Sequence, residues 1–276
     1  MGARFRIRDL AIKALVRRQW GELRRHSPRL AVIPHEHVGL AVLTNGLYER
    51  EELACLTELI RNLALGEGIC LDIGANIGNH AVVWSGLFDG VVCFEPNPQM
   101  SAVLRANLAL NHCTNVQVAE VGLGPEDAEL PFSFHEEGND GSGTFAKGSG
   151  DRTLPVRHGD RLVTELGLDG RAITFVKCDV EGFEHSVFRG LSETLAQHRP
   201  VIAFESNSAE LGASSWNVLR SLGYERLYML RHTAHTASPL TREFVRFFRG
   251  HECRIQAIDA PPAFSANLLA GARPLT

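Results

Sequence analysis

A doubly wound α/β sheet of the Rossmann type is the fold this sequence predicts, and three observations predict it. Short apolar runs recur along the chain, helical segments separate most of them, and two of the earliest runs lead into a glycine turn and a lone glutamate. Such runs fit strands buried on both faces of a parallel sheet. Alternating β and α units imply right-handed crossovers, with helices on both faces.

The elements follow in order. Residues 31–48 read as a small strand pair closed by Asn45-Gly46, a hairpin turn signal. Residues 51–65 form an amphipathic helix, with Leu53, Leu56, Leu59, Ile60 and Leu63 at helical spacing, ended by Gly66 and Gly68. Strands are predicted at 69–73, 91–94, 116–119, 173–178 and 201–204, and helices at 79–87, 98–111, 183–198 and 209–222. Two later runs, 224–230 and 253–258, suit an antiparallel pair at one sheet edge. Residues 122–158 are rich in Gly, Asp, Glu and Ser and read as a long mobile loop near the site, a lid.

A chain of 276 residues buries a sizeable core without metals or disulfides. Net charge is −4, but residues 1–30 alone carry +7, so the rest sums to −11. The division expected is a basic helical or extended segment, 1–48, and a catalytic domain, 49–276. The basic segment suits weak contact with an anionic membrane surface or an acidic partner; the simpler reading is a solvated terminal helix. No apolar run approaches the roughly 20 residues of a membrane span, and no secretory core is present. The six cysteines form no C-x-x-C pair; Cys70, Cys93 and Cys178 read as small buried hydrophobes. Reduced thiols fit a cytoplasmic protein.

The chemistry sits at the strand ends. Leu71-Asp72-Ile73-Gly74-Ala75-Asn76-Ile77-Gly78 follows a strand and opens a helix, whose free N–H groups face a ligand. Gly74 and Gly78 allow a tight turn and close approach. The G-x-x-x-G spacing differs from the dinucleotide fingerprint G-x-G-x-x-G. Asp72 would repel a pyrophosphate and suits a ligand with an ammonium group, such as the methionine part of S-adenosylmethionine (SAM). The next strand ends in Glu95-Pro96-Asn97, where an acid can accept both ribose hydroxyls of an adenosine. In Lys177-Cys178-Asp179-Val180-Glu181-Gly182-Phe183-Glu184-His185, Asp179 lies at a carboxyl strand end, where ligands of open sheets bind. Glu205 ends the following strand. Glu181 and Glu184 are equally explained as acids in a helix's first turn, and His185 as a structural or solvated histidine.

These stretches together resemble the FkbM family of SAM-dependent methyltransferases, over about residues 46–270. The match is carried by residues 71–78, Phe94-Glu95-Pro96-Asn97-Pro98 and 177–182; Tyr48-Glu49 and residues 107–111 are also family-like. The resemblance implies a seven-stranded sheet of order 3-2-1-4-5-7-6 with the last strand antiparallel, and SAM held by Asp72, Gly74, Ala75, Asn76, Gly78 and Glu95, with Pro96 and Asn97 beside them. It implies O-methylation of glycan or natural-product hydroxyls, or, in family-like enzymes, N-methylation of amides in ribosomal peptides. Cys178 departs from the family, which has an aliphatic residue there.

A hydroxyl nucleophile must lose a proton, so a base is expected nearby. Asp179 is the first candidate, then Glu181, His185 and Glu205. A divalent metal has no strong support in the sequence. The rivals are a non-catalytic SAM-binding regulator and a NAD-dependent oxidoreductase. Nucleic acid is disfavoured as a partner: the body is acidic, and no Asn/Asp-Pro-Pro-Tyr motif occurs.

Overall fold

The computed structural model describes residues 13–14, 21, 27–134, 143–150, 152–168, 170–232 and 253–275. Most of the basic segment at 1–30 and the Gly-rich centre at 138–142 therefore lie outside the described residues.

Among the residues described from 27 onward, two helices precede the sheet, α1 (His37–Asn45) and α2 (Arg50–Asn62); residues 13, 14 and 21 are also helical. Helix α1 replaces the strand pair expected at 31–48. Gly46 adopts φ 84° as the left-handed C-cap and donates its N–H to Val42 O, so the Asn-Gly signal ends a helix here. Helix α2 matches its predicted periodicity, burying Leu53, Leu56, Leu59 and Ile60.

The main sheet holds β1 (Ile69–Ile73), β2 (Gly90–Phe94), β3 (Val116–Ala119), β8 (Ile173–Cys178), β9 (Val201–Ser206), β10 (Arg226–His232), β11 (Cys253–Ile258) and β12 (Ala266–Gly271). Its spatial order is β3-β2-β1-β8-β9-β12-β10-β11. Strands β3 through β9 are parallel, and β12 enters antiparallel between β9 and β10. Among the described residues the sheet thus has eight strands, where seven were expected. The extra one is β11, which pairs antiparallel with β10 at the edge, as its sequence suggested.

Burial on both faces explains the apolar runs. One face presents Cys70, Cys93, Phe175, Val201 and Ala203 to a core shared with Leu56, Ile60, Trp84 and Leu104. The other presents Leu71, Ile73, Val92, Phe94, Val176 and Phe204 to Val187, Phe188, Leu195 and Trp216. The helices involved are α3 (Asn79–Trp84), α4 (Pro98–Leu110), α5 (Gly159–Glu165), α6 (Glu184–Gly190), α7 (Ser192–His198) and α8 (Ala209–Ser221). The single helix expected over 183–198 is two, divided at Leu191. Cys70, Cys93 and Cys178 are buried and, with the other three cysteines, form no disulfide.

The predicted lid is a second sheet. Strands β4 (Gly122–Gly124), β5 (Ala128–Phe134), β6 (Gly143–Thr144) and β7 (Arg152–His158) run in the order β4-β7-β5-β6. Phe132, Phe145, Leu154 and Val156 make a small separate core, with Phe183 packed against it. No described helix is long and apolar enough to cross a membrane.

Candidate functional site

The carboxyl ends of β1, β2, β8 and β9 open into one cleft, roofed by the small sheet and flanked by the first turn of α1. Counted with its solvent-open mouth, it spans about 1160 Å³ of empty space.

The turn after β1 is built by backbone. Gly74 N and Ala75 N both donate to Phe94 O, at 2.9 and 3.2 Å. Gly74 sits at φ 79°, and a Cβ there would lie 1.9 Å from Asp179 O. Its glycine thus serves the approach of the β8 turn as well as ligand access. Gly74→Ala therefore combines left-handed strain with a backbone clash and should cost about 4 kcal/mol or more. Urea unfolding measures this; a loss under about 1 kcal/mol would show that the two turns can part cheaply.

Glu95 follows β2 and is 6% exposed. Its Oε2 accepts the N–H of Asn76 at 2.8 Å and its Oε1 that of Asn97 at 2.9 Å. Each oxygen keeps capacity for one more donor. Burial pushes this carboxyl up to about 7, against the pull of those two N–H groups. Asn97 also caps α4, accepting from Gln99 N at 3.1 Å, and Pro98 follows at the first helical position.

Asp72 and Lys177 face each other across β1 and β8 in register, on the sheet face that carries α2 and α3. Asp72 is fully buried with neither oxygen hydrogen-bonded, and burial raises its pKa. Lys177 is 8% exposed, and its Nζ lies 2.9 Å from Asp179 Oδ2. Burial would drive the ammonium toward neutrality, but Asp179, Asp72 and Glu49 hold it well above its ordinary value. Burial likewise raises Glu49, yet the hydrogen bond and charge of His80, then Lys177 and Asn267, bring it down to about 2. His80 Nε2 lies 3.4 Å from Glu49 Oε2.

Asp179, Glu181 and Glu205 converge, with carboxylate oxygens all within 4.8 Å of one another. Burial, then Asp179, Glu181 and Glu184, push Glu205 up to about 9, and it shares a hydrogen bond with Asp179 that only a protonated carboxyl can make. The direction favours a proton held between Glu205 and Asp179. Among the described residues, these three acids are the group that could hold a cation, and the Lys177 ammonium stands 2.9 Å from Asp179 as a competing positive charge.

Glu184 is a first-turn helix acid, as expected, opening α6, and it is buried. It is 1% exposed, and its Oε1 accepts from Val180 N at 3.0 Å and Gly182 N at 3.2 Å, fixing the turn that carries Asp179 and Glu181. Burial pushes it up to about 7. Thr144 of β6 donates to Val180 O at 3.4 Å, joining the roof to that turn.

Of the expected site residues, the cleft is lined by Gly74, Ala75, Asn76, Glu95, Pro96, Asn97, Asp179, Glu181 and Glu205. Asp72 lies beneath it, beside Lys177, and Gly78 behind it as the N-cap of α3 at φ 81°. His185 is not brought to the cleft wall. Its ring nitrogen Nε2 meets Ser186 Oγ at 3.2 Å, and burial, then Arg189, lower its pKa. Sequence reasoning gave no site role to Lys177, Tyr48, His80 and the Phe132, Phe145 and Phe183 wall, all of which line the cleft. A lysine inside a run buried on both faces was the available signal, since such a cation needs carboxylates around it.

Residues 72–226 match the family model for the methyltransferase FkbM domain. Among curated proteins, the chain is 26% identical over 148 residues to Methyltransferase 1 of Beauveria bassiana, covering 46% of this chain and 59% of that one. It is 29% identical over 129 residues to the hexuronic acid methyltransferase AglP of Haloferax volcanii, covering 47% and 52%. The matches thus span little more than half of either relative. A solved methyltransferase FkbM from Methylobacillus flagellatus aligns with a TM-score of 0.42 at 20% identity, over 74% of this chain and 44% of that one.

Proposed function

The chain belongs to the FkbM methyltransferase family, and from that premise we propose that it transfers the methyl group of SAM to a hydroxyl of a glycan or natural-product acceptor. The observation that carries the reading is Glu95. Two backbone N–H groups bracket its carboxyl, and the remaining acceptor capacity faces the cleft, which suits the paired hydroxyls of a ribose. The residues fit SAM in charge as well, because carboxylates outnumber ammonium groups among the described cleft residues.

SAM, when bound, supplies an electrophilic methyl on a sulfonium. This chain then has to align an oxygen and take its proton. Asp179 is the base: it lines the cleft at the end of β8, and the Lys177 ammonium at 2.9 Å fixes its carboxylate there. With the donor in place, Asp179 would take the hydroxyl proton as the acceptor oxygen is methylated. Glu205 and the Glu181 carboxylate stand within reach of the same hydroxyl or its neighbour. The aromatic wall of Phe132, Phe145 and Phe183 gives the acceptor an apolar face. AglP, by its name, acts on a hexuronic acid, which supports the glycan side of the reading.

The test is a panel of sugars, oligosaccharides, polyketide alcohols and peptides incubated with methyl-labelled SAM, with the product mapped by mass spectrometry. An alkali-stable methyl ether is expected. Label on an amide nitrogen, or an alkali-labile ester, would overturn the hydroxyl assignment. SAM binding without turnover on any acceptor would favour a regulator, and binding of NAD in place of SAM would sink the family chemistry.

A further inference from the structure

The expected division of the chain at residue 48 and the family match, which begins at residue 72, both leave the first helix outside the catalytic unit. The structure nevertheless puts Glu36, His37, Val38 and Tyr48 in the cleft wall. Tyr48 is the best fixed of them. Its N–H donates to Asn79 Oδ1 at 3.0 Å, and Asn79 Nδ2 donates back to Tyr48 O at 3.0 Å. Asn79 is 3% exposed and stands directly after Gly78, as the first residue of α3. A two-way amide clamp therefore ties the segment before α2 to the helix that opens from the cofactor turn. On its outer side the Tyr48 ring meets His37 edge-on, with centroids 5.7 Å apart.

One side of the cleft is ionic: Tyr48, Lys177, Asp179 and Glu205 all line it, and the charges of Asp179, Lys177 and Glu205 act on the Tyr48 phenol. Glu95 follows β2, and the ionic side lies past β1, where Asp179 and Glu205 stand at the ends of β8 and β9. A ligand whose ribose sits on Glu95 and whose amino-acid end extends across β1 meets Tyr48 there.

We propose that Tyr48, held by Asn79, is the end wall of the cofactor site and that its phenol donates a hydrogen bond to the carboxylate of the methyl donor's amino-acid end. The proposal rests on the SAM reading above. The phenol suits that role because burial, then Glu49 and Asp179, raise its pKa, so it stays a neutral donor across the physiological range. The surrounding acids face the ammonium of the same zwitterion. The first helix is then part of the binding unit, and the functional domain begins ahead of residue 49.

The test compares two ligands that share the adenosine and differ in the amino-acid end, S-adenosylhomocysteine and 5′-methylthioadenosine, by calorimetry on the full chain. Tyr48→Phe keeps the ring and removes only the donor. It should weaken S-adenosylhomocysteine about tenfold or more and leave methylthioadenosine within about twofold, so the truncated ligand doubles as a check on folding. Equal losses for both ligands, or no loss for either, would overturn the Tyr48 assignment while the cofactor reading stood. A wild-type chain that binds neither ligand would instead bring down the cofactor reading itself, and the proposal with it.

Discussion

Asp179→Asn should abolish most turnover while leaving the cofactor bound. Removing a positioned base costs about 10²–10⁴ in rate, and the amide is nearly isosteric, so the turn held by Glu184 should survive. Lys177 loses its 2.9 Å partner but keeps the charges of Asp72 and Glu49 around it. The expected result is a kcat about 10³ lower with SAM affinity within a few fold, measured once an acceptor has been found by the panel. Unchanged turnover would remove Asp179 from the role of base. A loss confined to SAM binding would make it a cofactor residue.

Glu95→Gln should act on the other half of the site. Each Glu95 oxygen holds one backbone N–H, and glutamine has one oxygen to offer. One of the two N–H groups would then face an amide NH₂, and the ribose would lose its charged acceptor. With hydrogen bonds to charged groups worth about 1.5–3 kcal/mol, SAM should bind about 100-fold more weakly. The wild type carries its own version of this experiment. Burial sets Glu95 at about 7 in the free protein, and accepting ribose hydroxyls favours the ionised form. The proton must therefore leave for SAM to bind. Affinity should be full above pH 7 and fall by up to tenfold per unit as pH drops below it. The Gln variant should lose that slope between pH 5 and 7. A wild-type affinity flat over this range would show that Glu95 does not change its protonation on binding.

The parts of the fold that could be read in the sequence share one physical property. Strands β1, β2, β8 and β9 are buried on both faces, so their runs are mostly apolar, broken only by Asp72 in β1 and by Thr174 and Lys177 in β8, and acids stand at the carboxyl ends of β2, β8 and β9. That is why Asp179, Glu95 and Glu205 were legible. Helix α1 was not, because a left-handed glycine after asparagine closes a hairpin and caps a helix equally well. The small sheet was hidden by composition: β7 has only Leu154 and Val156 fully buried in a run of seven, so its polar residues dominate. In the site, what escaped was pairing. Asp72 and Lys177 are 105 positions apart, and only the register of β1 against β8 sets them side by side. Tyr48 escaped for a similar reason, since its clamp reaches 31 residues to Asn79.

The ionic side of the cleft also bears on how the site is vacated. SAM arrives with a positive sulfonium and leaves as a neutral thioether. Around Lys177 the carboxylates of Asp72, Asp179 and Glu49 exceed its single positive charge, and a surplus of negative potential in a partly desolvated space attracts the cation more than the spent product. Under the proposed function the same charges should hold the neutral by-product less firmly than the donor, so S-adenosylhomocysteine is expected to compete weakly with SAM.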